Sequence, residues 1–146
     1  MSMTIRPIEA GDETEWRALW HDYLVFYETG VSEEVYQTTF RRLISAEHPD
    51  QNGLLAVEGA RPVGLVHYIY HPHNWRIEPV CYLQDLYATP DMRGKGVGRK
   101  LIEAVYAQAD ADGCPSVYWL TQDFNTTARQ LYDRIGSLTP FIKYTR

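Results

Sequence analysis

Apolar positions along the chain change period several times, and each change marks an element. Residues 3–8 read as a short strand. Trp16, Leu19, Trp20, Tyr23, Leu24 and Tyr27 then recur at helical spacing behind a capping box of Asp12 and Glu15, with Gly30 as the stop. Ser32 caps a second stripe formed by Val35, Tyr36, Thr39, Phe40, Leu43 and Ile44. After a loop at 48–53, residues 54–58 and 62–70 read as strands joined at Gly59-Ala60. A loop at 71–75 precedes a central strand over 79–88. A helix follows, with Val97, Leu101, Ile102 and Val105 on one face and Gly113 and Pro115 behind it as stop signals. Residues 116–121 read as a buried strand, 125–135 as a helix stopped by Gly136, and 138–144 as a closing strand. The order β-α-α-β-β-β-α-β-α-β predicts an α/β domain with a mixed sheet, an antiparallel meander followed by a parallel crossover. Residues 1–146 are expected to form one domain, without repeats or linkers.

Composition narrows the function classes. Hydrophobic content of 45% and charged content of 23% are those of a soluble globular chain. The net charge of −5 argues against a nucleic-acid partner. No apolar run is long enough to span a membrane, and the first residues lack the features of a signal peptide, so a cytoplasmic location is expected. Cys81 and Cys114 form neither a metal spacing nor a disulfide framework. Residues 1–40 are strongly acidic, a bias that would attract a cationic amine.

The chemistry concentrates at the end of the central strand. Thr89-Pro90-Asp91 is followed by glycines at alternate positions, Gly94, Gly96 and Gly98, interleaved with Arg93, Lys95, Arg99 and Lys100, and the amphipathic helix starts there. A strand end, a glycine-rich turn and a helix N-terminus together make an anion site, because free N–H groups converge and absent Cβ atoms let the backbone touch a phosphate. The P-loop pattern and the dinucleotide fingerprint both fail here, since each requires a glycine where Arg99 stands.

Arg93-x-x-Gly96-x-Gly98 resembles the pyrophosphate loop of the GNAT superfamily of N-acetyltransferases, which use acetyl-coenzyme A. Asn125-x-x-Ala128-x-x-Leu131-Tyr132-x-x-x-Gly136 is similar to the superfamily's C-terminal motif, in the right order and on the right element. Cys81-Tyr82-Leu83-Gln84-Asp85-Leu86-Tyr87 and Val117-Tyr118-Trp119 look most like the branch holding diamine (polyamine) acetyltransferases and small histone or amino-acid acetyltransferases. The resemblance covers nearly the whole chain. It implies a GNAT-type mixed, mostly antiparallel sheet flanked by about four helices, a homodimer, and acetyl transfer from acetyl-CoA, without a metal, to a primary amine of a small amine, polyamine, amino acid or protein lysine.

Residue roles follow from the resemblance. Arg93 and the backbone of Gly94, Lys95, Gly96, Val97, Gly98 and Arg99 would hold the pyrophosphate. Leu86, Tyr87 and Ala88 would run along the pantetheine arm, with Asn125 and Ala128 also on the cofactor. Tyr132 is the candidate general acid, since a phenol remains a proton donor at neutral pH. In the polyamine branch a glutamate, proposed to deprotonate the amine, stands where this chain has Gln84, which cannot take a proton. Asp85 is the neighbouring candidate, although strand alternation points it to the opposite face unless a bulge intervenes. His67, His71 and water are further proton acceptors. Trp20, Tyr23, Tyr27 and His67 are candidates for walling an amine site, because ring faces attract cations. Gln84 in place of a carboxylate also admits a second reading, an acyl-CoA-binding regulatory module without turnover.

Overall fold

A computed structural model of the chain describes residues 2–146. An open five-stranded sheet carries strands β1 (Met3–Pro7), β2 (Gln51–Glu58), β3 (Arg61–His71), β4 (Val80–Ala88) and β5 (Val117–Tyr118) in chain order across its width. The first four are antiparallel neighbours, and β5 runs parallel to β4. Helices α1 (Glu13–Phe26) and α2 (Glu33–Leu43) cover one face. Helix α3 (Val97–Ala111), the crossover between β4 and β5, covers the other beside α4 (Thr126–Ile135).

Each face has its own core. Trp16, Leu19, Trp20, Tyr36 and Phe40 from α1 and α2 pack on Leu55, Leu65 and Tyr87. On the opposite face Val97, Leu101, Ile102 and Val105 of α3 pack on Ala56, Val63, Val66 and Leu83. Helix α4 contributes Leu131, Tyr132 and Ile135, all partly buried, and the Tyr106 hydroxyl ties it to α3 by donating to the Ile135 carbonyl at 2.7 Å.

Local starts and stops differ from the expected ones in instructive ways. The capping box lies one turn earlier than Asp12 and Glu15 suggest. Asp12 accepts the backbone N–H of Glu9 at 2.7 Å, closing a 3-10 turn, and also accepts the Arg6 guanidinium at 2.8 and 2.9 Å. Helix α1 ends at Phe26, and the chain reverses at Glu28 in the left-handed region rather than at Gly30. Ser32 caps α2 as expected, its hydroxyl accepting from the Val35 N–H at 3.3 Å. Residues 51–53, read as loop, belong to β2. The strand expected over 116–121 pairs only at Val117 and Tyr118.

The closing strand expected over 138–144 does not form. Leu138, Phe141, Ile142 and Tyr144 are exposed, at 76–87% of their full surface. An alternating segment becomes a strand only beside a partner edge, and Pro140 also removes one of its donors.

Candidate active site

Strands β4 and β5 part company early. Their pairing stops at Tyr82 and Tyr118, so among the described residues the β5-facing edge of β4 from Leu83 onward has no strand beside it. A narrow cleft opens there, lined by Leu83, Gln84 and Leu86 of β4, Ile102 of α3, Trp119 and Leu120 after β5, and Tyr132 of α4. Tyr23 and Tyr27 close it from the end of α1. The Tyr132 ring stands edge-on to Trp119 with centroids 5.5 Å apart. Burial, helped by Tyr27, raises the Tyr132 phenol to about 12. Burial also raises Tyr23 and Tyr27, with the Asp85 carboxylate adding to both.

The glycine loop lies directly beyond the end of β4. Gly94 and Gly96 take positive φ of 79° and 82°, and a Cβ on either would meet no atom within 4 Å. The first bond inside α3 runs from the Lys100 N–H to the Gly96 carbonyl at 3.0 Å, leaving the N–H groups of Val97, Gly98 and Arg99 ahead of it. Lys95, Arg99 and Lys100 are exposed around them. Arg93 is engaged within the protein. Its Nε donates to the Ala88 carbonyl at 3.3 Å, and its guanidinium lies 5.7 Å from the Phe26 ring centre and 5.6 Å from that of Tyr87. Arg61 on β3 grips Asp91 at 2.9 and 3.1 Å just before the loop. Asn125 caps α4, its Oδ1 accepting from the Ala128 N–H at 3.4 Å. A strand end, a positive-φ turn, free helix N–H groups and surrounding cations form a cradle that fits a phosphate.

A bulge in β4 decides where Gln84 and Asp85 go. His67 pairs with Asp85, but the next residue, Tyr68, pairs with Leu83, so Gln84 is the extra residue in the ladder. Leu83 faces the α3 core while Asp85, two residues on, turns to the α1–α2 side. Gln84 is exposed at the junction and lines two clefts, the one beside Tyr132 and a second of about 290 Å³ on the α1–α2 side.

Asp85 anchors a buried polar chain that crosses from helix to sheet. Its Oδ2 accepts the Trp20 Nε1–H at 3.2 Å and lies 2.7 Å from His67 Nδ1. The Trp16 Nε1–H donates to His67 Nε2 at 2.9 Å. An indole N–H can only donate, so Nε2 must be the acceptor and the imidazole proton sits on Nδ1, where it donates to Asp85. Both nitrogens of His67 are therefore in use. The same holds for His71, whose Nδ1 donates to the Pro72 carbonyl while its Nε2 accepts the Tyr118 hydroxyl, each at 2.8 Å.

The geometry brings Gln84, Leu86 and Tyr132 to one cleft with Tyr23 and Tyr27, and gathers Trp20, His67 and Asp85 at the other. The sequence pattern marks Trp16 only as part of a helical stripe. Its spacing of four from Trp20 puts both indoles on one helical face, which was the available signal. Among the described residues, no group of three or more His, Cys, Asp or Glu is placed to hold a metal ion.

A sequence-family model, described as the acetyltransferase (GNAT) family, matches residues 16–136. The chain belongs to that family. As a GNAT chain it is an N-acetyltransferase, and the family's acceptors are amines. Among curated relatives, a D-amino-acid N-acetyltransferase, HPA3 of Saccharomyces cerevisiae, is 40% identical over 145 residues, covering 99% of this chain and 90% of the relative. A thialysine N-epsilon-acetyltransferase of Bos taurus is 32% identical over 80 residues, covering 55% of this chain and 46% of that protein. The GNAT fold is shared with the solved structure of AAC(6')-Iy in complex with the bisubstrate analog CoA-S-monomethyl-acetylneamine, at a TM-score of 0.86 and 19% identity, covering 100% and 98% of the two chains.

Proposed function

We propose that this chain, acting as a single domain, transfers the acetyl group of acetyl-CoA to the primary amine of a small molecule, with Tyr132 as general acid. One observation carries the reading: Gln84, Leu86 and Tyr132 line a single cleft, opened by the parting of β4 and β5, directly ahead of the glycine loop. The N–H groups from Gly94 to Arg99, with the dipole of α3 behind them, hold the pyrophosphate. Leu86, Tyr87 and Ala88 present the open edge of β4 to the amides of the pantetheine arm. Lys95 and Arg99 add charge, Arg93 stiffens the turn, and Asn125 and Ala128 form the far wall. Acetyl-CoA supplies the activated acyl group.

The chain's own residues then manage protons. Gln84 orients the incoming amine by hydrogen bonding but takes no proton. The proton lost by the attacking nitrogen passes to Asp85 or to water. A new C–N bond forms as the C–S bond breaks, and the Tyr132 hydroxyl donates its proton to the departing sulfur. A phenol held near 12 keeps that proton throughout the neutral range. The relatives named for amino-acid and thialysine acetylation support an amine acceptor of that size.

The exposed apolar segment from Leu138 to Tyr144 supports a homodimer in which it is covered. Two buried free cysteines suit the cytoplasm. Measuring free thiol release with acetyl-CoA and a panel of amines tests the enzyme reading. Tyr132→Phe is expected to lower turnover about 100-fold or more with cofactor affinity unchanged. Full turnover in that variant would remove Tyr132 as the acid. Cofactor-dependent stabilisation without thiol release from any amine would mark a binding module instead.

A further inference from the structure

We infer that the second cleft is an acceptor site built for exactly one positive charge on an apolar body, with Asp85 taking the ammonium. The inference rests on the acetyltransferase reading above and names its substrate class. Asp85 is the one carboxylate in the lining of this cleft, and no lysine or arginine contributes to it. Its carboxylate is oriented by donors on the protein side, the Trp20 indole at 3.2 Å and the His67 ring at 2.7 Å, with His67 held in turn by Trp16 at 2.9 Å. Removing the Asp85 side chain would leave the buried Trp20 and His67 donors without an acceptor, so the carboxylate is fixed in place.

The rest of the wall is apolar or neutral. Val31, Val35, Leu43 and Ile69 face the cavity, and Gln51 and Asn52 supply amides. A volume of about 290 Å³ suits a small molecule with a chain of a few carbons. Gln84 lines this cleft and the Tyr132 cleft alike, so an amine held at Asp85 has its nitrogen beside the passage to the thioester. A second ammonium on the same molecule would be driven against aliphatic side chains with no counter-charge, and would lose its hydration there. Glu28 and Glu34 stand exposed outside the lining, where solvent screens them.

Calorimetric titration of the full chain with a matched pair tests this. Hexylamine and 1,6-diaminohexane differ by one terminal ammonium, and hexylamine is expected to bind about tenfold tighter. Asp85→Asn is expected to weaken hexylamine about tenfold or more with its melting transition still cooperative. Val35→Glu, which places a carboxylate on the far wall, is expected to narrow the gap between hexylamine and 1,6-diaminohexane. Equal or tighter binding of the dication to the wild-type chain would overturn the inference, and so would undiminished hexylamine affinity in Asp85→Asn. These are binding readouts, so they stand apart from thiol release, which judges the acetyltransferase reading itself.

Discussion

Gly64 of β3 and Val97 of α3 touch so closely that no side chain fits between them. A Cβ on Gly64 would lie 2.8 Å from Val97 Cγ1, 2.9 Å from the Tyr87 carbonyl oxygen and 3.2 Å from Leu101 Cδ1. Val97 is the first residue of α3, so this contact sets where the helix start stands over the sheet. Gly64→Ala must move the helix or the strand. A loss of about 1–3 kcal/mol is expected, with weaker CoA binding, measured by thermal melting and titration. An unchanged melting temperature would show that the helix is not seated by this contact.

The glycines of the loop separate into two kinds. Gly96 sits at φ of 82°, where an L-residue costs about 1–2 kcal/mol, so Gly96→Ala is expected to lower stability and CoA affinity together. Gly98 is helical, and a Cβ there meets Leu131 and Leu86 at an ordinary 3.6 and 3.8 Å. Gly98→Ala is therefore expected to leave the melting temperature unchanged or raised, while CoA affinity falls about tenfold if the cofactor backbone approaches there. Equal affinity in this variant would place the pyrophosphate elsewhere.

With Tyr132 as the proposed acid, a pH profile follows. Burial raises its phenol to about 12, so the protonated form the proposal requires is lost only as pH rises through that value. Turnover at subsaturating amine is expected to climb as the acceptor loses its proton, with no alkaline fall below about pH 10. Tyr132→Phe is expected to lower the curve without shifting it. A descending limb near neutral pH, recorded by thiol release, would assign the donor to another group.

Acid stability is tied to Asp12. The Arg6 guanidinium, with the Glu9 N–H, holds its carboxyl below the ordinary value. A depressed native pKa adds stability that is present above the unfolded value and lost as pH falls towards the native one. Asp12→Asn is expected to cost about 1 kcal/mol at pH 7, and the gap to wild type should close in acid. Denaturant titrations at several pH values check both parts. A gap independent of pH would show that the carboxyl's charge is not what stabilises the turn.

Local pattern revealed what local physics controls. The strand ending at Ala88, the glycine turn and the amphipathic start at Val97 are contiguous, and so was the helix carrying Asn125 and Tyr132. The features that escaped depend on partners outside the segment's own pattern, some near and some far along the chain. Arg6 draws Asp12 into an earlier turn. Trp16 reaches His67 across 51 residues, and nothing in either segment announces the meeting. The bulge at Gln84 arises from the register between β3 and β4, so the neighbours Gln84 and Asp85 could be named but not placed. Residues 138–144 have the composition of a strand but pair with no strand of the sheet.

On the proposed reading, the two-sided sheet divides labour between donor and acceptor. Tyr132, Leu86 and the start of α3 lie towards one layer of helices, whereas Asp85, Trp20 and the walls from α2 lie towards the other, with Gln84 alone common to both. If that reading holds, substitutions at Val31, Val35 or Leu43 retune what is acetylated without disturbing how the acyl group is carried. Selection can explore new recipients in such a scaffold while the delivery apparatus stays intact.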